Sequence, residues 1–485
     1  MNINIILYLL GRISAMMGIA LLVPMFVAVY YWEDGIRQFA LAALCSVVLG
    51  YVFHLHGEDA DYKDISVRDG IGTVFFAWVL AALLAGLPYY FMGVLDPVAA
   101  YFESMSGLTT TGATAIANLE ALPRSVLFWR SLTHWIGGIG IIVLFVALLP
   151  QIAGSAVYLF NAEVSGFSNS RILPRIRTTA IALFYIYLLL TIILTGILKA
   201  LGMSLYDAVN HACSAIATGG FSTYNTSVAH FQSPSVEYAI GIFMILAAGN
   251  FALYYQMTQS GIKVLWEDLE FKTYIFILAV ITVLITANIV YVNGYSLADG
   301  FRSAFFQVAS FGSTTGYISD DYDKWPSFSK LLLAVMFFTG GCAGSTAGGI
   351  KVCRFIVLIK TVAAELRRTL HPQMLLNVYY GNKRLPVQTI INISRFFFVY
   401  ILVVAALSLV LTLGGLSVEE SIFGVATCIS SVGPAFDSIG AAGNYAHVAA
   451  SGKLALSLAM LLGRLELFTA LALLRSEYWR NNKRW

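Results

Sequence analysis

The sequence predicts an all-α integral membrane protein built as a fourfold pseudo-repeat. Each copy is a membrane span, a short re-entrant helix, a glycine loop and a second span, and a two-helix hairpin precedes the first copy. Three observations carry this. Of the 485 residues, 59% are hydrophobic and 11% charged, with a mean hydropathy of +0.78, whereas soluble domains carry about 25% charge. Apolar stretches near the roughly 20 residues that a bilayer requires recur ten times. Four segments between pairs of these stretches place a glycine after a hydroxyl-bearing or β-branched residue: Thr110-Thr111-Gly112-Ala113, Ala217-Thr218-Gly219-Gly220, Thr314-Thr315-Gly316-Tyr317 and Ser431-Val432-Gly433-Pro434. Counted at Gly112, Gly219, Gly316 and Gly433, the spacings are 107, 97 and 117 residues.

The first two stretches, near 4–31 and 38–55, form a hairpin assigned to residues 1–66. Residues 4–31 are too long for a secretory signal and no small-residue cleavage site follows, so they read as a retained span. Pore repeat 1, residues 67–152, places spans near 70–93 and 125–150 around a short helix near 97–109. Repeat 2, residues 175–262, has spans near 178–202 and 235–257 around 205–216. Repeat 3, residues 270–365, has spans near 272–293 and 328–362 around 299–312, with its last helix broken. Repeat 4, residues 386–478, has spans near 388–413 and 452–474 around 418–430. The short helices carry polar residues such as Glu103, Ser104, Asn210, His211, Arg302 and Gln307. Lipid rejects such helices, but re-entrant helices enclosed by protein are acceptable.

Lys and Arg concentrate in one set of loops (Arg171, Arg175, Arg177, Lys263, Lys272, Lys360, Arg367, Arg368, Lys383, Arg384) and in the tail (Arg475, Arg480, Lys483, Arg484). The opposite set holds Arg37, Arg124 and Lys324, with Lys330 and Lys453 at span edges. Basic loops mark the cytoplasmic side, so both termini are expected inside and the glycine loops are expected to open outward. The loop 56–69 has an acidic excess, which counts little in this rule. Five cysteines, Cys45, Cys213, Cys342, Cys353 and Cys428, form no C-x-x-C pair and read as scattered buried thiols.

The glycine loops point to a cation pore. An ion in hydrocarbon is costly by tens of kcal/mol on a Born estimate, and rings of backbone carbonyls replace its hydration oxygens. Glycine gives the backbone the freedom to present them. The expected filter is Thr110, Thr111 and Gly112; Thr218 and Gly219; Thr314, Thr315 and Gly316; Val432 and Gly433, with the threonine hydroxyls as further oxygen ligands. Each short helix would aim the negative end of its dipole at the filter. Asp96, Asp207, Asp299 and Glu419 would suit the opposite pole and raise the cation concentration at the mouth.

A second signal interrupts the last span of repeat 3. The run Thr339-Gly340-Gly341-Cys342-Ala343-Gly344-Ser345-Thr346-Ala347-Gly348-Gly349 has five glycines in ten residues, at about 1 kcal/mol of helix stability each. Gly340 lies twelve residues beyond Phe328, roughly 18 Å along a helix, which places the loop beneath the filter. The same count from Gly452 reaches Arg464. The expected gate is Gly340, Gly341, Gly344, Ser345, Thr346, Gly348 and Gly349, with Arg464 bonding the loop carbonyls and raising a barrier to cations. The plainer alternative is a structural Arg464 paired with Glu466 or a neighbouring carboxylate. Arg130 and His134 are expected to brace the filter, and the basic stretch from Arg367 to Arg384 is expected to be a solvated loop, a lipid contact or a docking surface.

Together the runs Ser106–Thr114, Arg130–Gly140, Ala217–Ser222 and Gly340–Lys351 resemble the Trk/Ktr/HKT superfamily of potassium transporters, over essentially the whole chain. The N-terminal hairpin and the length are similar to its bacterial TrkH branch. The resemblance implies a potassium-channel-like fold and potassium as substrate, in a multi-pass protein of the bacterial inner membrane. It also implies a homodimer in contact with lipid, and a cytosolic, nucleotide-binding regulatory ring protein (TrkA-like) as partner. It maps the filter glycines onto Gly112, Gly219, Gly316 and Gly433, all present, which in this family goes with potassium preference over sodium. Val432 and Pro434 depart from the Thr-Gly pattern, so the filter is not expected to be fourfold symmetric. Potassium uptake through a gated pore is the main expectation, and a proton- or sodium-coupled symporter is the alternative. The chain has no H-E-x-x-H, no nucleophile–base pair and no nucleotide-binding glycine motif. No enzymatic activity, covalent cofactor or nucleic-acid partner is expected.

Overall fold

The computed structural model describes residues 2–57, 66–140, 176–373, 377–465 and 467–479. Outside these lie the last third of the 125–150 span, most of the 56–69 loop, Arg171, Arg175, Glu466 and the tail from Arg480, and the side chain of Arg177 is likewise not described.

Ile3–Tyr30 (α1) and Ile36–Gly57 (α2) pair as the N-terminal hairpin. They approach closely because Gly11 and Gly50 face one another: a β-carbon on either would meet the other's carbonyl oxygen at 2.7 Å. The order long helix, short helix, loop, helix then occurs four times: Val67–Phe91 (α3), Pro97–Leu108 (α4) and Arg124–Ile139 (α5); Ile176–Ala200 (α6), Leu205–Ile216 (α7) and Pro234–Ala247 (α8); Leu269–Asn293 (α11), Leu297–Gly312 (α12) and Ser327–Thr339 (α13); Val387–Leu413 (α15), Val418–Ile429 (α16) and Ala450–Arg464 (α17). Between the second and third sets run Phe251–Ser260 (α9) and Lys263–Glu267 (α10), and Val352–Leu370 (α14) follows the third. Among the described residues, six helices are long and apolar enough to cross a membrane by length and composition, or up to eight if each of two bent pairs is one span.

Two expected continuous spans are bent. The 235–257 stretch splits into α8 and α9 with a 90° turn. Gly249 admits the Tyr254 ring, the Tyr254 hydroxyl donates to Leu246 O at 2.6 Å, and Asn250 caps the new helix at Ala252 N–H. The 452–474 stretch also turns after Arg464, into Leu467–Leu474. Apolar periodicity does not register such breaks, because both arms remain apolar.

Polarity is inverted relative to a soluble protein. Phe276, Phe398 and Leu409 are exposed at 66–68%, as suits helices facing lipid, while Glu103, Arg130, His134, His211 and Gln307 are sealed inside. Outside the helices, Tyr379–Tyr380 pairs antiparallel with Lys383–Arg384 around Gly381, whose φ is 57°. The end of the basic stretch is therefore a small hairpin rather than an irregular loop. Cys342, Cys353 and Cys428 are buried and Cys213 half-buried, but Cys45 is exposed, on the outer face of α2.

Candidate functional site

The four short helices are built alike at both ends. Asp96 accepts from the Val98 and Ala99 N–H groups, Ser204 from Asp207, Ser296 from Asp299 and Ser417 from Glu420, satisfying donors that a helix start leaves free. At the other end Thr111 N–H donates to Ser106 O at 2.9 Å, Gly219 to Ser214 at 2.9 Å, Thr315 to Ser310 at 2.8 Å and Val432 to Thr427 at 2.8 Å. This helix-ending bond requires the residue just before the donor to be left-handed. Those residues are Thr110, Thr218, Thr314 and Ser431, with φ of 55°, 54°, 59° and 56°. Two positions later Gly112, Gly220, Gly316 and Gly433 take φ of 84°, 83°, 79° and 93°.

The glycines close a ring. A β-carbon added to Gly112 would strike the carbonyl oxygen of Gly219, one on Gly220 that of Thr315, one on Gly316 that of Val432, and one on Gly433 that of Thr111. Each loop thus abuts the next in chain order, and the fourth abuts the first. The contact also corrects the register of the second loop. Gly220 is the counterpart of Gly112, while Gly219 sits level with Thr111, Thr315 and Val432. Gly219 is glycine for another reason: a side chain there would enter the His134 ring.

Hydrogen bonds join neighbouring loops around the ring. Arg130 reaches Ser222 O at 3.0 Å, the Tyr317 hydroxyl donates to Phe221 O at 3.1 Å, the Tyr322 hydroxyl donates to Ala435 O at 2.9 Å, and Tyr445 N–H donates to Thr114 O at 2.8 Å. Arg130 is itself held by Glu103 at 2.8 Å, with both side chains essentially sealed from solvent. Glu103 also accepts from Ala115 N–H at 2.8 Å. His134 bonds Ser214 at 2.8 Å and stacks on Phe221 at 4.0 Å. Both residues therefore stand behind the glycine loops, bonded to them or to the short helices.

One side of the ring opens to a mouth lined by Gly112, Gly220, Gly316, Pro434, Asn225 and Asn444. At its rim the Glu420 carboxylate accepts from the Ser438 hydroxyl and the Ser417 N–H, which together hold its pKa down at about 2. On the other side lies a cavity of about 140 Å³, whose lining includes Ser431, Gly463, Arg464 and the segment from Gly344 to Gly349, with Lys351 and Arg354. The chain passes from Ser431 in the cavity to Pro434 in the mouth, so the glycine ring separates the two spaces.

The glycine-rich loop lies across the cavity side. Thr346 donates to Ile216 O at 3.2 Å and Ala247 O at 3.1 Å, and Gly348 N–H donates to Thr314 Oγ1 at 2.8 Å. A β-carbon on Gly348 would strike Ser430 O. The loop therefore touches the second, third and fourth short-helix ends. Gly344, Ser345, Thr346, Gly348, Gly349 and Arg464 share the cavity, while Gly340 and Gly341 lie outside its lining, packed against Gly348 and Ala248. Arg464, expected to bond the carbonyls of this loop, donates to the carbonyls of Gly137 and Gly138, at the end of α5.

The hydroxyls expected as ion ligands are mostly engaged. Thr111 bonds Thr109 at 2.9 Å, Thr315 bonds Ser313 at 2.7 Å, and Thr218 donates to Ala217 O at 2.6 Å. Four residues escaped the expected site. Gly220 and Ser431 follow from a pattern present in the sequence, hydroxyl-x-Gly in all four segments. Lys351 is the one charged residue of the 339–351 run, with φ of 77° and its amine on Ala347 O. Tyr445, whose hydroxyl donates to Gly433 O at 2.8 Å, had no local signal.

Comparison with known proteins agrees with this architecture. Residues 38–481 match the TrkH family, described as cation transport protein. The chain is 34% identical over 485 residues to the Trk system potassium uptake protein TrkH of Salmonella typhimurium, covering 99% of this chain and 100% of that one. It is 31% identical to the Trk system potassium uptake protein TrkG of Escherichia coli, covering 99% of each. The crystal structure of the potassium transporter TrkH from Vibrio parahaemolyticus superposes with a TM-score of 0.89 at 33% identity, over 99% of this chain and 100% of that one. This chain belongs to the TrkH family of cation transport proteins.

Proposed function

We propose that the protein takes up potassium across the bacterial inner membrane through a gated, channel-like pore. The four repeats surround one axis, the ring of glycine loops is the selectivity filter, and the 340–349 loop with Arg464 is the gate. The observation that carries this is the ring itself, in which each glycine abuts the next loop's carbonyl oxygen. Such a ring offers an ion several oxygens without moving the backbone, so dehydration is offset at the site. The C-terminal ends of the four short helices converge behind it and add partial negative charge. Beneath it, Lys351, Arg354 and Arg464 line the cavity and oppose a cation that leaves the filter while the loop is in place. Both termini are placed in the cytoplasm. The working assembly is a homodimer in lipid, opened by a cytosolic nucleotide-binding ring protein.

The test is cation flux into proteoliposomes containing only this protein, comparing K⁺, Rb⁺ and Na⁺ without a proton gradient. Flux down the ion's own gradient, with K⁺ and Rb⁺ ahead of Na⁺, is expected. Silence until a proton or sodium gradient is imposed would replace the channel with a coupled symporter. Deleting part of the 340–349 loop, or Arg464→Ala, is expected to raise flux, and unchanged flux in both would remove the gate.

A further inference from the structure

The glycine-rich loop leaves helical structure at one point and rejoins it at another, and a single side chain holds both. Glu270 is the second residue of α11 and is 5% exposed. Its Oε1 accepts from the Ala343 N–H at 2.8 Å and from the Cys353 N–H at 3.0 Å. Ala343 follows the break that ends α13, and Cys353 lies in the first turn of α14. The chain between these two N–H groups is the loop's whole contribution to the cavity, from Gly344 to Lys351.

We propose that Glu270 is the positioning residue of this loop, a carboxylate clasp that fixes both roots so that the loop spans the cavity. The inference rests on reading the loop as the gate. A run rich in glycine has many backbone states open to it, so something must select the one that crosses the pore. Bonds from backbone N–H groups to a carboxylate are charge-assisted and stronger than neutral ones. Removing the acceptor leaves two buried donors unsatisfied, which favours the loop's departure from that position. Backbone bonds from Val352 N–H to Gly341 O and from Ile350 N–H to Phe338 O tie the roots to each other, and Cys342 N–H to Ala248 O ties the first root to the end of α8, whereas Glu270 anchors both roots to α11. Asp268 caps that helix at Phe271 N–H, directly after α10 and the Gly261 turn. A displacement of this helix end therefore reaches both roots of the loop together, which gives a regulatory protein a handle on the gate at a distance from the pore axis.

Cys342 and Cys353 are built-in reporters, 1% and 3% exposed and placed at the two roots. The experiment measures alkylation of each thiol in the full-length protein by site-resolved mass spectrometry, alongside K⁺ flux in proteoliposomes. Glu270→Ala is expected to speed labelling of both thiols at least tenfold and to raise flux severalfold. Glu270→Asp is expected to do the same, because its oxygens retreat by one carbon–carbon bond, about 1.5 Å. Glu270→Gln keeps an oxygen able to accept both bonds and is expected to stay near the native protein on both readouts. Native-like thiol protection in the Asp variant, or labelling in the Gln variant as fast as in the Asp variant, would overturn the clasp. The Asp and Gln pair decides the question even where the alanine variant fails to assemble. The loop deletion separates the two readings: if it leaves flux unchanged the gate is wrong, while the thiol rates still report whether Glu270 holds the loop.

Discussion

Behind the first glycine loop a carboxylate and a guanidinium, Glu103 and Arg130, are sealed from water 2.8 Å apart. Counting back equally from the fourth loop, the position of Glu103 is taken by Gly424, and tyrosines do the holding: Tyr445 on Gly433 O, Tyr400 on the Ser430 hydroxyl and Tyr322 on Ala435 O. The backbones agree to within 10° in the φ of both key residues. One geometry is thus reached by an ionic brace at one side of the ring and by neutral hydroxyls at the other. The ring demands a backbone shape and leaves each repeat free in how it supplies it. The two sides are therefore expected to fail differently.

The largest contrast is expected from Glu103→Ala. It strands a buried guanidinium and removes the acceptor for Ala115 N–H, a loss of about 3–5 kcal/mol for a broken buried pair. Denaturation in detergent checks this, and a cost below 1 kcal/mol would show that the pair does not brace the first loop. Tyr445→Phe removes one neutral hydrogen bond, about 1 kcal/mol, and frees the Gly433 carbonyl. Potassium over sodium preference in flux is expected to fall by up to about fivefold, the equivalent of that energy. Tyr322→Phe, whose acceptor Ala435 lies beyond the ring, should change preference less, and equal shifts in both variants would erase the special position of Gly433. The smallest effect lies at the rim of the fourth loop. The Glu420 pKa, about 2, is below its ordinary value near 4.3, so its stabilising contribution is present above that ordinary value and lost as pH falls through about 2. Glu420→Gln is expected to melt slightly lower than the native protein at pH 7, by a few tenths of a kcal/mol for so exposed a group. The gap should close between about pH 4.5 and 2, and a gap independent of pH would assign the effect to shape rather than charge.

The same contrast marks what the sequence made legible. Spans and short helices were visible because each is a local statement about apolarity over 12–28 residues. The left-handed threonines were visible as hydroxyl-bearing residues near glycine, although the one-residue shift to Gly220 was not. That register is set by the neighbouring loop's carbonyl and not by the segment itself. The turn at Gly249–Asn250, the reach of Arg464 to Gly137 and the clasp of Glu270 on Ala343 and Cys353 were illegible for a common reason. Each joins residues that the chain separates by a folded span or more, or needs a ring to slot against a glycine, and periodicity records neither. Asp207 and Asp299 show a milder form of this: they were expected to attract cations to the mouth, and their local work is to support the serine caps of their helices, work that at the fourth short helix falls to Glu420 and not to the expected Glu419.

The bond from Tyr445 to Thr114 has a consequence for biosynthesis. The ring is completed by a contact between the first repeat and the last, and a ribosome releases the first long before the last. Until the fourth repeat emerges, the three earlier loops form an open arc with no fourth wall, and the cavity beneath lacks Ser431, Gly463 and Arg464. A nascent chain paused anywhere short of its final quarter therefore offers the membrane no finished conduit. For a ring that works as the proposed pore, the order in which the chain is made is itself a guard against leakage.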